Sequence, residues 1–228
     1  PRITMNAINL IKNQPSVHTS PNPATVTVTT GMTTMSIPKE LWRLVHVLKS
    51  PKILKTSNLF QYYINFSGLD IHTGYHDIEE LAIIRECLTC GKQFPSNMIS
   101  AQGLVVVIGQ FLNSLPRPIV PYWLWPDNSL TTKITDNDTN ASTVNYKTTQ
   151  MRSYCRKLLQ QLPLLNYNVL IFIFSFLRNV LVYSNENHTT IQRLSLFCDS
   201  CLTGNAVDEQ KRAAIKEVFE YLLIADDI

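Results

Sequence analysis

A chain of 228 residues is long enough for one sizeable hydrophobic core, or for one domain with an appendage. Apolar residues make up 45% and charged residues only 16%, and a net charge of +3 is too small to argue for nucleic acid or an anionic membrane surface. With seven glycines and neither a GxGxxG nor a GxxxxGK[ST] pattern, nucleotide binding by the chain itself is disfavoured and no cofactor is expected.

Residues 1–36 are rich in Thr, Pro, Ser and Asn. Within them Ala24-Thr25-Val26-Thr27-Val28-Thr29 alternates apolar and polar β-branched residues, which predicts one strand. A lone strand is not stable by itself, so this region reads as a linker or the tail of a preceding β domain. The opening Pro1-Arg2, in place of Met, reads as a fragment of a larger protein. No apolar stretch in the first 37 residues suits a secretory signal.

Helical signals begin at Ser36-Ile37-Pro38, where proline suits a first turn. Leu41, Trp42, Leu44, Val45 and Leu48 follow at helical spacing, ending near Ser50-Pro51. A second helix is predicted over Asp77 to Cys90, with Asp77 as cap and Gly91 as stop. Ser96-Asn97 opens a third, running to Leu115, and Pro116-Arg117-Pro118 ends it. Pro121 to Pro126 is a short aromatic turn or helix, and Asp127 to Thr149 a long exposed loop. Further helices are expected over Met151–Leu162, Leu165–Tyr183 and Thr189–Leu202, then a last one capped by Asp208. The most apolar run, Val169 to Leu177, is far shorter than the ~20 residues of a membrane span and reads as a core helix. The fold expected is all-α, a bundle of about seven to nine helices.

Five cysteines without a secretory signal suggest free thiols in a reducing compartment. Four of them form two CxxC pairs, Cys87/Cys90 and Cys198/Cys201. Four thiolates can complete a tetrahedral zinc site, so a zinc-stabilised helical domain is one reading. The competing one makes Cys87 and Cys198 small buried helix residues, with no metal.

Several runs, in order, carry a resemblance. Ile37-Pro38-Lys39-Glu40-Leu41-Trp42-Arg43-Leu44-Val45, Leu59-Phe60-Gln61, Ile84-Arg85-Glu86-Cys87-Leu88, Phe111 to Ile119 (FLNSLPRPI) and Leu194-Ser195-Leu196-Phe197 are its anchors. Together they resemble the RhoGAP-like domain of the Lowe-syndrome (OCRL) type of inositol polyphosphate 5-phosphatase, over residues 37 to about 225. The resemblance implies a RhoGAP-like helical bundle, with the phosphatase domain and a β-sandwich connector of the ASH type upstream. It also places Gln61 where active RhoGAP domains carry their arginine finger. That arginine stabilises charge on the transferring phosphoryl group, worth roughly 10³–10⁵ in rate. Glutamine carries no charge. Tyr62 to His76 lie between Gln61 and the next helix, so an alternative alignment puts Phe66-Ser67-Gly68 on the family's Val-Ser-Gly. Neither alignment supplies a finger, because no Arg or Lys occurs between Lys55 and Arg85.

Two further departures accompany it. Active members place Lys and Arg along the helix before Leu-Pro-x-Pro, but Gln102 to Leu115 contains no basic residue. The Asn usual in their late helix aligns with Ser200 or with Asp199. The expectation is a domain without catalytic residues of its own, with an active or weakly active GTPase-activating domain as the alternative. The resemblance further implies recognition of short amphipathic helices with Phe and His anchors, the F&H motif of endocytic adaptors. Trp42 is the leading contact residue there, with Leu41, Val45 and His46 beside it. Rho-family GTPases are a second class of partner, bound without stimulated hydrolysis. The implied location is cytoplasmic, recruited to endocytic membranes through partners, without direct membrane insertion.

Overall fold

The computed structural model describes residues 16–19, 24–30, 33–60, 78–125, 141–204 and 209–225. Three strands open the described chain: β1 (Ser16–Thr19), β2 (Thr25–Thr30) and β3 (Thr33–Pro38), in one antiparallel sheet of order β1-β2-β3. The expected strand at Thr25 is therefore the centre of a sheet. The register Val26↔Ile37 and Val28↔Met35 puts four buried apolar side chains on one face, as period-two alternation requires. Through β3 the sheet packs on the apolar helix Leu164–Val182.

Nine α-helices follow among the described residues: α1 (Lys39–Leu48), α2 (Pro51–Leu54), α3 (Ile78–Cys90), α4 (Ala101–Asn113), α5 (Ala141–Gln161), α6 (Leu164–Val182), α7 (Ser184–Asn187), α8 (Ile191–Leu202) and α9 (Glu209–Ile224). A 3₁₀ turn, Tyr122–Leu124, occupies the aromatic run. The fold is the mostly helical bundle expected, with the small sheet added at its amino-terminal side.

Several boundaries differ from the sequence reading. Pro38 is the last residue of β3 and the N-cap of α1, at φ −52° and ψ 131°, so strand passes into helix with no residue between. α4 starts at Ala101, later than Ser96, because Ser100 is its cap and its Oγ accepts from the Gly103 N–H at 2.9 Å. α5 reaches back to Ala141, so the expected loop ends at least nine residues earlier than Thr149. Asn and Thr are weak helix formers, yet no Gly or Pro interrupts that stretch. The two single-turn helices α2 and α7 carry too little periodicity to be read in sequence. Asp77 and Asp208, the expected caps of α3 and α9, lie outside the described residues.

α6 is the axis of the core. It is 19 residues long, apolar enough to cross a membrane by length and composition alone, and 67% of its apolar window is buried within the protein. Its Phe172, Phe174 and Phe176 are all buried, Phe174 against Phe219 of α9 at 5.9 Å and Phe176 against Phe60 at 6.4 Å. Gly91 stops α3 at φ +69°, where a Cβ would be strained.

Candidate functional site

α1 is strongly amphipathic, and its geometry sorts the four residues expected at a peptide site. Leu41, Leu44, Val45 and Leu48 recur at three and four residues and are wholly buried. Trp42 and His46, one turn apart on the neighbouring face, stack with ring centroids 4.8 Å apart and planes 17° from parallel. Trp42 is half-buried and His46 exposed. Leu41 and Val45 are therefore corrected to core residues. Their 0% exposure leaves no surface to present, because the Leu41–Leu48 stripe faces the bundle.

Trp42 and His46 open onto a groove of about 970 Å³. One wall is α1 and α2, through Trp42, Val47 and Ile53. The other is the 93–100 connection and the first turn of α4, through Phe94, Ile99 and Leu104. Arg43 ties the walls together. Its Nη1 donates to the carbonyls of Cys87 (2.9 Å) and Leu88 (3.3 Å), its Nη2 donates to that of Lys92, and its guanidinium lies 5.0 Å from the Phe94 ring centroid. A cation here also meets the negative end of the α3 dipole. The α4 end of the wall is set by Glu80, whose carboxylate accepts the Ser100 N–H at 2.5 Å. Only Gly103 leaves space for it, since a Cβ there would lie 2.3 Å from Glu80 Oε1. The groove's far wall was missed in the sequence; its one legible trace is Phe94-Pro95, an aromatic and a rigid residue just past a helix stop.

Gln61 lies outside the described residues, but the chain leading to it is firmly held. Leu59 and Phe60 are buried, and Phe60 meets Phe197 of α8 edge-on at 5.1 Å. The Asn58 N–H donates to the Asn187 carbonyl (3.0 Å), with Asn58 and His188 both left-handed at φ 58° and 55°. Asn187 is fully buried. Its Nδ2 donates to Leu54 O and Val180 O, each at 2.9 Å, and its Oδ1 accepts from the Thr189 N–H at 2.8 Å.

Ser200 is half-buried and its hydroxyl donates to its own helix, to Phe197 O at 2.8 Å. Asp199 turns inward, where Oδ2 accepts from Arg212 Nη1 at 3.1 Å and the Thr203 hydroxyl donates to the Asp199 carbonyl at 2.6 Å. α4 has no basic residue of its own, but Arg85 of α3 lays its Nη2 on Gln110 Oε1 at 2.7 Å. Contact between helices thus brings a base to α4 that its own sequence lacks.

The four cysteines of the zinc reading do not meet. Cys90 is exposed at the end of α3, Cys87 is buried with its thiol donating to Gln93 O at 3.5 Å, and Cys198 and Cys201 are buried within α8. No group of three or more His, Cys, Asp or Glu able to hold a metal ion occurs among the described residues. The zinc alternative is corrected accordingly. Two residues three apart share a helix face, and the α8 pair spends that face on the core. Burial pushes the thiols of Cys198 and Cys201 well up, and that of Cys155 to about 12.

The family model of the RhoGAP domain matches residues 73–206. Two solved structures share the fold. Human Rho GTPase activating protein 15 aligns over 82% of this chain and 81% of its own, with a TM-score of 0.61 and 14% identity. The BH domain of GRAF, the GTPase regulator associated with focal adhesion kinase, aligns over 81% and 88%, with a TM-score of 0.57 and 14% identity.

Proposed function

Because this chain belongs to the RhoGAP domain family, we propose that it is a catalytically inactive member that serves as an interaction module for short amphipathic helices of the F&H type. The observation that carries the binding half is the groove built around the stacked Trp42 and His46. A half-buried tryptophan at the mouth of an apolar groove is the residue type that dominates helix-in-groove recognition. The inactive half rests on composition: no Arg or Lys between Lys55 and Arg85, none from Gln102 to Leu115, and Ser200 or Asp199 at the usual Asn position. Asp199 is occupied by Arg212 and Thr203, which suits a structural role.

The mechanism is recognition without turnover. A peptide helix lays its Phe between Trp42 and Phe94, and its His one turn on meets the polar rim. The walls are held in place by Arg43 and Glu80, so little ordering is left to the moment of binding. The parent is proposed to be an OCRL-type inositol polyphosphate 5-phosphatase, acting in the cytoplasm and brought to endocytic membranes by adaptors carrying the motif. This rests on the runs Ile37–Val45, Leu59–Gln61 and Phe111–Ile119.

Titrating an F&H peptide against wild type and Trp42→Ala tests the groove. A loss of at least about 2 kcal/mol, some 30-fold in Kd, is expected for a central aromatic anchor. Equal affinity removes Trp42 from the site.

A second reading keeps Rho-family GTPase binding without hydrolysis, favoured by the firm anchoring of Phe60 beside Gln61. It predicts measurable affinity for a member of a Rho, Rac and Cdc42 panel with no rise in hydrolysis rate. Hydrolysis stimulated about 10³-fold or more would instead establish an active GTPase-activating domain.

A further inference from the structure

Among the described residues the groove is lined by three basic side chains, Arg43, His46 and Lys52, and by no Asp or Glu. Its charge is uncompensated from within. Arg43 donates to neutral carbonyls, and Lys52, exposed on α2, has no ion pair among the described residues. Two acids on the adjoining helices do not line the groove. Glu40 lines a separate depression with Arg85 and Gln110, and the Glu80 carboxylate is engaged by Ser100 behind the wall. Apolar walls, a neutral polar lining and fixed charge of one sign only, from Arg43 and Lys52, make a surface complementary to an acidic ligand.

We propose that the groove's occupant is an acidic amphipathic peptide, its apolar face against Trp42, Ile53 and Phe94 and its carboxylates toward Lys52 and His46. The proposal rests on the peptide-docking reading above and specifies the ligand class of the same site. Lys52 on α2 selects for acid, and the exposed His46 on α1, its ring stacked on Trp42, adds a polar partner on the same wall.

The test uses three labelled peptides with the same Phe and His spacing, flanked by Glu, by Gln or by Lys, followed by fluorescence anisotropy. At low salt the Glu-flanked peptide should bind about three- to tenfold tighter than the Lys-flanked one, the size expected of a few exposed ion pairs. The gap should narrow in high salt, shrink in Lys52→Gln and reverse in Lys52→Glu. Equal binding of all three at both salts overturns the charge selection while leaving peptide docking in place. Binding by none overturns both. Sedimentation showing a dimer that Trp42→Ala dissociates and peptides do not compete would make a second copy the occupant, and would also overturn the proposal.

Discussion

Replacing Asn187 by alanine should loosen the segment that delivers the chain to Gln61. The amide is oriented by its partners, since Leu54 O and Val180 O can only accept and the Thr189 N–H can only donate. Truncation leaves Val180 O with a second donor, the Tyr183 N–H at 3.1 Å. Leu54 O and the Thr189 N–H lose the amide that satisfies them in a fully buried setting. Each orphaned group costs about 1–3 kcal/mol, so the variant should lose roughly 2–5 kcal/mol. For a chain of this size that corresponds to a fall in Tm of roughly 5–15 °C. Urea titration followed by circular dichroism reads the free energy, and amide exchange at residues 54–60 reads its location. Asn187→Asp keeps one acceptor but turns a carboxylate on two carbonyl oxygens, so it should rescue nothing. A loss below about 0.5 kcal/mol for the alanine variant, within the range of ordinary surface changes, would refute the reasoning.

Three further outcomes follow from the packing. Gly103→Ala should destabilise by about 1 kcal/mol, because losing the charge-assisted bond from Ser100 N–H to Glu80 outweighs the helix preference of alanine. In a Glu80→Ala background the same change should stabilise, and a sign that does not reverse would exclude Glu80 as the cause. Alkaline stability has a defined direction, since Cys155, Cys198 and Cys201 all titrate above their ordinary 9.0 in the folded chain. The unfolded chain then releases protons that the folded one keeps. Stability is full below pH 9 and falls as pH climbs from 9 toward 12, by up to about 1.4 kcal/mol per unit for each thiol. Lys49, whose pKa burial lowers, works in the opposite direction as a single group; a urea midpoint no lower at pH 10 than at pH 8 would contradict the net sign. Finally, a neutral thiol reagent at pH 8 should label Cys90 rapidly in the folded protein and Cys155, Cys198 and Cys201 only on unfolding. Fast labelling of Cys198 would contradict the burial of that face.

How far the sequence could be read depended on where its information was local. Helices α3, α6 and α8 were legible because caps, stops and apolar spacing lie within each segment: Gly91 ends α3, and Thr190 opens α8 by accepting from the Arg193 N–H. The sheet was underestimated because a strand is stabilised by partners, and the partners of Val26 and Val28 are non-neighbouring residues of another strand. The site divided in the same way. Trp42 and His46 stand one turn apart, so their pairing is readable from spacing alone. Leu41 and Val45 have that same spacing, and only the direction of the bundle decides that they face inward. Arg43 gripping α3 from 44 residues away, Glu80 reaching Ser100, and Arg85 lying on α4 are contacts between elements. No periodicity within one element encodes them.

The junction at Pro38 has a kinetic consequence. With no residue between β3 and α1, and β3 packed against α6, α1 has no hinge about which to swing. A ligand cannot draw that wall of the groove shut behind it. The opposite wall is fastened to α1 by Arg43, so it too has little travel. Association should therefore proceed without a gating step, with one exponential whose rate rises linearly with peptide concentration, and differences among ligands should appear in how slowly they leave.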